Sequence, residues 1–323
     1  MGSKVRGLIG MGVALAASAW MATAHAQTYP AQQVRLVVPF SPGGGVDQVA
    51  RILAPELAKR LGQAVVIDNR TGASGAIGTA EVARAKPDGH TLLMVLDTHA
   101  VNGQIMKNLK YDPITSFEYV SLLVTLPLVL VASTTFPANT VPELVAQAKA
   151  NPNVSYGSAG TGSSAHLAGA TLAMDYGISP THIPFKGAGP LMTDLLGGHI
   201  DYAFSGLSVV MSRIRTGKLK AIAVGSSGRL EQLPGVPAVS EFVPKFEATA
   251  WIGMMAPAGT PRDVVARLLA TVRQTVAMPE IRKQLTDSGF EIVASSPEEF
   301  VRRVKRDTET VSSLVQKKLL TPE

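Results

Sequence analysis

Apolar runs, glycine-rich breaks and helically spaced apolar positions follow one another repeatedly along the chain. Positions 34–40 form a short, nearly continuous apolar run, broken by Ser41-Pro42-Gly43-Gly44-Gly45. Beyond it Val49, Ile52, Leu53 and Leu57 fall at helical spacing within 46–61, which Gly62 closes. The unit then recurs: strand 64–67, loop 71–75, helix 78–85, the turn Lys86-Pro87-Asp88-Gly89, and strand 91–96. Further along, the pattern predicts strands at 128–132, 154–157, 181–184, 200–204, 219–224 and 251–256. It predicts helices at 141–150, 165–176, 190–196, 261–277, 280–288 and 297–314. Thr260 reads as the cap of the 261–277 helix with Pro261 in its first position, and Ser296-Pro297-Glu298-Glu299 reads as a clean helix start. Strand, glycine loop and helix in repetition predict α/β layering on a parallel sheet. Breaks near 122–127 and 246–250 divide the chain into two α/β lobes, the second inserted into the first.

The first 26 residues change the picture of where the chain works. Lys4 and Arg6 precede an uncharged apolar stretch over 8–24, and Ala24-His25-Ala26 supplies a small-x-small cleavage pattern. This reads as a secretory signal cleaved after Ala26, with an exported mature chain starting at Gln27. A membrane anchor fits less well, because the stretch barely reaches spanning length and is rich in Ala and Gly rather than Leu. The next longest apolar segment, 120–132, is too short and is interrupted by Thr125 and Pro127.

Charge and composition then exclude several classes. The whole chain carries 30 Lys+Arg against 24 Asp+Glu, but two of those cations belong to the leader. No basic run exceeds two residues outside the last helix, where Arg302, Arg303, Lys305 and Arg306 lie among acids. A nucleic-acid footprint needs a basic stripe, so no nucleic-acid partner is expected. The absence of cysteine removes disulfides, thiolate metal sites and a cysteine nucleophile. Nothing points to a cofactor or a metal.

The candidate chemistry lies in the glycine and serine loops at strand ends. Open α/β sheets bind ligands beyond the carboxyl ends of their strands, where helix N-termini present unpaired N–H groups and partial positive charge. Pro42-Gly43-Gly44-Gly45 and Gly160-Thr161-Gly162-Ser163-Ser164, each ahead of a helix, fit an anion nest. No phosphate-loop, dinucleotide, nucleophile-elbow or zinc-protease motif is present. Ser163 or Ser164 with His166 can be drawn as a hydrolytic dyad, but neighbours on one helical turn rarely reach that geometry. A hydrogen-bonding or ligand-contacting role suits His166 better. Asp47, in the first turn of its helix, either ties the loop amides or contacts ligand directly. Phe40, Phe185 and Phe204 sit at loop edges, where they could flank an organic ligand or simply be core. Asp97 and Asp201 stand isolated.

Five segments together resemble a known family. They are Pro39-Phe40-Ser41-Pro42-Gly43-Gly44-Gly45-Val46-Asp47, Asp68-Asn69-Arg70-Thr71-Gly72-Ala73-Ser74-Gly75, and Tyr156-Gly157-Ser158-Ala159-Gly160-Thr161-Gly162-Ser163-Ser164-Ala165-His166-Leu167. Pro184-Phe185-Lys186-Gly187 with Asp194-Leu195-Leu196-Gly197-Gly198, and Trp251 with Ala256-Pro257-Ala258-Gly259-Thr260-Pro261, complete the set. In order and over the mature chain they resemble the Bug family, the periplasmic receptors of tripartite tricarboxylate transporters. The resemblance implies a type II periplasmic-binding-protein fold, lobe 1 over 27–124 plus 250–323 and lobe 2 over 125–249. It implies a monomer that closes over a small organic carboxylate and delivers it to membrane permease subunits, without catalysis. By position it implies Phe40, Ser41, Gly43, Gly44, Ala73, Ser74, Gly160, Thr161, Ser164 and His166 at the ligand. Lys186 follows a family motif, either at the ligand or in a structural role. Thr98, His99 and Ser205 lie in specificity regions. Ser205 stands where many members carry an Asp able to hold an ammonium, which disfavours an amino-acid ligand. Thr71 and Phe185 depart from the usual Pro and Tyr.

Overall fold

The computed structural model describes residues 29–185, 187–316 and 320; the signal segment and Lys186 lie outside them. Its first part alternates as the apolar pattern requires: β1 Val34–Val38, α1 Gly45–Leu61, β2 Val65–Asn69, α2 Ala76–Ala83, β3 Thr91–Leu96, α3 Thr98–Ile105. A 17-residue strand follows, β4 Phe117–Ser133, then α4 Val141–Ala150, β5 Ser155–Ser158, α5 Ser164–Tyr176, β6 Thr181–Pro184 and α6 Ala188–Leu196. The chain continues through β7 Tyr202–Gly206, α7 Leu207–Arg215, β8 Leu219–Val224, β9 Thr249–Pro257, α8 Arg262–Val276, α9 Pro279–Asp287, β10 Glu291–Ile292 and α10 Pro297–Gln316.

The strands run in the order β2-β1-β3-β9-β4-β7-β5-β6, with β8 and β10 also pairing to β4. The expected parallel sheet holds only in part. β2, β1 and β3 are parallel, as are β6, β5 and β7. β9 runs antiparallel to β3 and β4, and β4 antiparallel to β7 and β8. The reason is β4 itself. All of it is buried except Glu118 and Thr125, which are half-buried, so it needs cover on both faces along its whole length. Its first part pairs with β9 from Phe117 to Pro127, and its last six residues pair with β7 and β8. Thr125 and Pro127 mark the point where one strand passes from one set of partners to the other. Two register shifts in the β4–β9 ladder, at Tyr119/Ser121 and Leu122/Val124, accompany the passage.

Two helices were absent from the sequence expectation. α3 carries Gly103 and β-branched residues but holds because Thr98, His99, Ala100, Val101, Asn102 and Ile105 are all buried. α7 presents Leu207, Val210, Met211 and Ile214 to the core at helical spacing. Thr260 does not cap α8. Its hydroxyl donates to the Pro257 carbonyl at 2.7 Å, and Pro261, in extended backbone, takes the cap position so that the helix opens at Arg262. At α10 the Ser296 and Glu299 side chains cap each other's amides reciprocally, at 3.2 and 2.8 Å.

Candidate functional site

Three loops leave the carboxyl ends of β1, β2 and β5 and run toward the starts of α1, α2 and α5. In the first, Gly44 caps α1 without any side-chain bond, so the first-turn amides have no partner inside the helix. Asp47 ties this loop from behind. One carboxylate oxygen accepts from the Gly43 amide at 2.9 Å and from Arg51 at 2.7 Å, and the other accepts from Asn69 at 3.0 Å. Asn69 also donates to the Phe40 carbonyl at 3.0 Å. Burial alone would raise the Asp47 pKa, but the bonds from Arg51, Gly43 and Asn69 outweigh it and hold the carboxylate below its ordinary range. The geometry favours the tie over direct ligand contact for Asp47.

The second loop is strained. Ala73 and Ser74 both take left-handed backbone, with φ of 46° and 49°. The surroundings over-determine that conformation: the Ser74 carbonyl accepts from Asn102 at 3.1 Å and from Thr98 at 3.3 Å, both on α3. The Phe40 ring packs onto Gly75, where an added Cβ would lie 3.0 Å from it. Loops one and two therefore form one unit.

The third loop is anchored by histidine and serine. Ser163 caps α5 by accepting from the His166 amide at 3.2 Å, and His166 Nδ1 accepts from the Gly162 amide at 3.0 Å. Ser158 Oγ donates to the Gly160 carbonyl at 2.9 Å and lies 2.8 Å from His182 Nε2. The His166 and His182 rings stack with centroids 3.8 Å apart. Burial lowers both pKa values to about 4, and for His182 the neighbouring His166 adds to the effect. Both rings are therefore neutral near pH 7.

The third loop meets the other two. A Cβ on Gly160 would lie 3.8 Å from Ser74 Oγ, and one on Gly162 would lie 2.6 Å from Val101 and 2.8 Å from Ile105. Ser164 donates to the Asp97 carboxylate at the end of β3. Of the expected residues, Phe40, Ser74, Thr98, Gly160 and Ser164 are thus linked by direct approach. Phe185 borders them, its amide bonded to the Ser158 carbonyl at 2.9 Å. Ser41, Gly43 and Ala73 are exposed on the same loops, Gly44 and Thr161 half-buried.

Two expected residues are not brought there. His99 is 1% exposed; its Nε2 lies 2.8 Å from the Pro113 carbonyl and its ring stacks on Tyr111, so it is spent in the core. Ser205 is buried within β7, paired with Val129, and no side-chain bond ties it to the loops. Phe204 is core too, stacked on Phe246. The sequence pattern does not single out His182, and it leaves Asp97 isolated. His182 has a legible signal, since it sits two residues before Pro184 at the strand end. The partners of Asp97 lie far along the chain and left none.

Ser164 gives its hydroxyl to Asp97, Ser163 is spent on the helix cap, and His166 Nδ1 is taken by a backbone amide. No serine hydroxyl in this loop bonds an imidazole nitrogen of His166, so the dyad is not assembled.

The family model for the tripartite tricarboxylate transporter family receptor matches residues 49–320. Protein BugT of Bordetella pertussis is 35% identical over 293 residues, covering 90% of each chain. Among solved structures, the periplasmic binding protein BugD superposes with a TM-score of 0.82 at 37% identity, covering 90% of this chain and 98% of that one. MatC of Rhodopseudomonas palustris, solved with bound malate, superposes at 0.82 with 33% identity over 89% of this chain and all of its own. A second R. palustris protein, solved with adipate, gives 0.84 at 32% identity over 88% and 97%. The chain belongs to the tripartite tricarboxylate transporter receptor family, the Bug solute-binding proteins.

Proposed function

We propose that this receptor captures a small organic carboxylate, a dicarboxylate or a tri- or aromatic carboxylate, in the periplasm and hands it to the permease of a tripartite transporter. The observation that carries the reading is the meeting of three strand-end loops, Phe40 against Gly75 and Ser74 beside Gly160, at the starts of three helices. None of the loop segments 41–47, 72–75 and 158–166 contains Lys or Arg. An anion there is held by backbone amides, hydroxyls and helix dipoles rather than by ion pairs. Ser41, Gly43, Gly44, Ala73, Ser74, Thr161 and Ser164 are the contacts of this reading, with Phe40 and Phe185 flanking. Lobe 1 comprises 27–124 plus 250–323 and lobe 2 comprises 125–249, with β4 and β9 crossing between them.

The relatives solved with malate and with adipate support a carboxylate ligand. The Ser164 bond to Asp97 speaks against a hydrolase. A thermal-shift panel of mono-, di-, tri- and aromatic carboxylates tests the reading. A rise in melting temperature confined to one carboxylate class supports it, and no response to any carboxylate removes it.

A further inference from the structure

Asp97 is a carboxyl group that carboxylate capture does not call for. Its residue is 7% exposed, one oxygen accepts from Ser164, and the other has no hydrogen-bond partner. Beside it is a cavity of about 240 Å³ also lined by Ser164, Glu247, Arg303, Arg306 and Asp307. These are the charged groups that face it: Arg303, Arg306 and Asp307 from α10, and Glu247 from the segment leading into β9. From α5 it meets the uncharged Ser164, and on its own α3 the nearest titratable group, His99, is bonded to the Pro113 carbonyl.

The cations do not rescue it. Arg303 is engaged with Asp307 at 3.0 Å and with the Thr249 carbonyl at 3.2 Å, and Asp307 in turn accepts from Trp251 at 2.6 Å. The Arg306 side chain is 66% exposed and reaches Asp307 only at 3.9 Å. An ionised Asp97 in this position has the Ser164 hydroxyl as its one side-chain donor and an oxygen with no side-chain partner, and the nearby Thr98 amide offsets only part of the burial, a cost that a neutral carboxyl avoids.

We infer that Asp97 and Ser164 form a proton-gated catch between the lobes, so that closure of the cleft takes up a proton on Asp97. The inference rests on the two-lobe reading above but on no ligand. With Ser164 and Asp97 in contact, as in this structure, burial pushes the Asp97 pKa up to about 7; the Ser164 bond opposes this, Asp307 adds to it, and Arg303 and the Thr98 amide reduce it. Opening separates Ser164 from Asp97 and returns the carboxyl to water and to its ordinary range near 4. The pKa is raised in the closed state, so the contribution to closure is fully present below about pH 4 and is lost as pH rises through about 7. Within that window the closed-to-open ratio falls as much as about tenfold per pH unit.

The chain has no cysteine, so Ile77→Cys and Met174→Cys, at exposed positions on α2 and α5, place two spin labels without background. Double electron–electron resonance on the ligand-free protein then follows lobe separation from pH 5 to 8. The closed fraction should fall with rising pH in the parent chain. It should stay high and flat in Asp97→Asn, which keeps an acceptor for Ser164 without the charge, and should drop at every pH in Ser164→Ala. A pH response that survives Asp97→Asn, or an unchanged distribution in Ser164→Ala, overturns the catch. Because no carboxylate is added, that failure is separate from a failure of ligand capture, which the thermal-shift panel reads.

Discussion

The imidazoles of His166 and His182 lie face to face, 3.8 Å between centroids and 3° from parallel, behind the third loop. Each also fixes part of that loop, His166 through the Gly162 amide and His182 through Ser158. The stack tolerates two neutral rings and not two charged ones. Both pKa values lie at about 4 in the fold, below the ordinary 6.5. For a basic group with a lowered pKa, the unfolded chain binds the proton first. The contribution to stability is therefore complete above about pH 6.5 and is lost as pH falls toward 4.

The expected outcome is that urea stability drops between pH 7 and pH 5 and that His182→Phe weakens this dependence. Phe keeps the stacked face but cannot be protonated, at a cost of about 1 kcal/mol for the lost Ser158 bond. Equal pH dependence in parent and variant would show that the pair is not what titrates.

A methyl group at Gly162 would sit 2.6 Å from Val101 and 2.8 Å from Ile105, on a backbone with φ of +74°. The third loop packs on α3 only because that position has no side chain. Gly162→Ala should cost about 1–3 kcal/mol in stability and widen the approach of the loops. Small-angle scattering would read this as a larger radius of gyration. A variant with parent stability and parent dimensions would contradict the close approach.

Asp47→Ala tests the tie behind the first loop. The substitution strands the Gly43 amide and removes one of the two acceptors of Asn69. A loss of about 2 kcal/mol is expected by chemical denaturation, together with faster hydrogen exchange over 41–47. Weaker ligand binding should follow from the loosened loop. An unchanged stability with lost binding would instead make Asp47 a ligand contact.

Much of the fold was legible because turn residues bound its elements. Strands 91–96, 181–184 and 219–224 and the helix 141–150 stand where the pattern placed them. Strand direction was not legible: a run of buried apolar residues reads the same whichever way it is paired, so the antiparallel β4 and β9 were missed. Pro127 misled for a physical reason, since proline ordinarily ends a central strand. Here it marks the handover between two sets of partners. At the site, glycine spacing announced the loops, because left-handed backbone at Gly43, Gly160 and Gly162 has few other solutions. His99 looked equally promising, but its neighbours in space, Tyr111 and Pro113, had no visible link to it. Asp97 and Ser164 stand 67 residues apart, and no local pattern connects them.

The most direct measurement is calorimetric titration of malate and adipate into the parent chain and into Gly44→Asp. Gly44 has φ of −77°, which any residue adopts, and an added Cβ would lie 3.3 Å from the Ser41 carbonyl, so the exposed loop shifts by a few tenths of an ångström and the variant should fold while placing a carboxylate at the start of α1. Capture by backbone amides predicts single-site binding of at least one of these acids, or of another carboxylate found in the thermal-shift panel. It also predicts at least a hundredfold loss in Gly44→Asp at unchanged melting temperature, roughly 3 kcal/mol of binding free energy. Aspartate and glutamate should not bind. Carboxylate binding that Gly44→Asp leaves intact, or tight binding of aspartate in place of the other acids, would contradict the account.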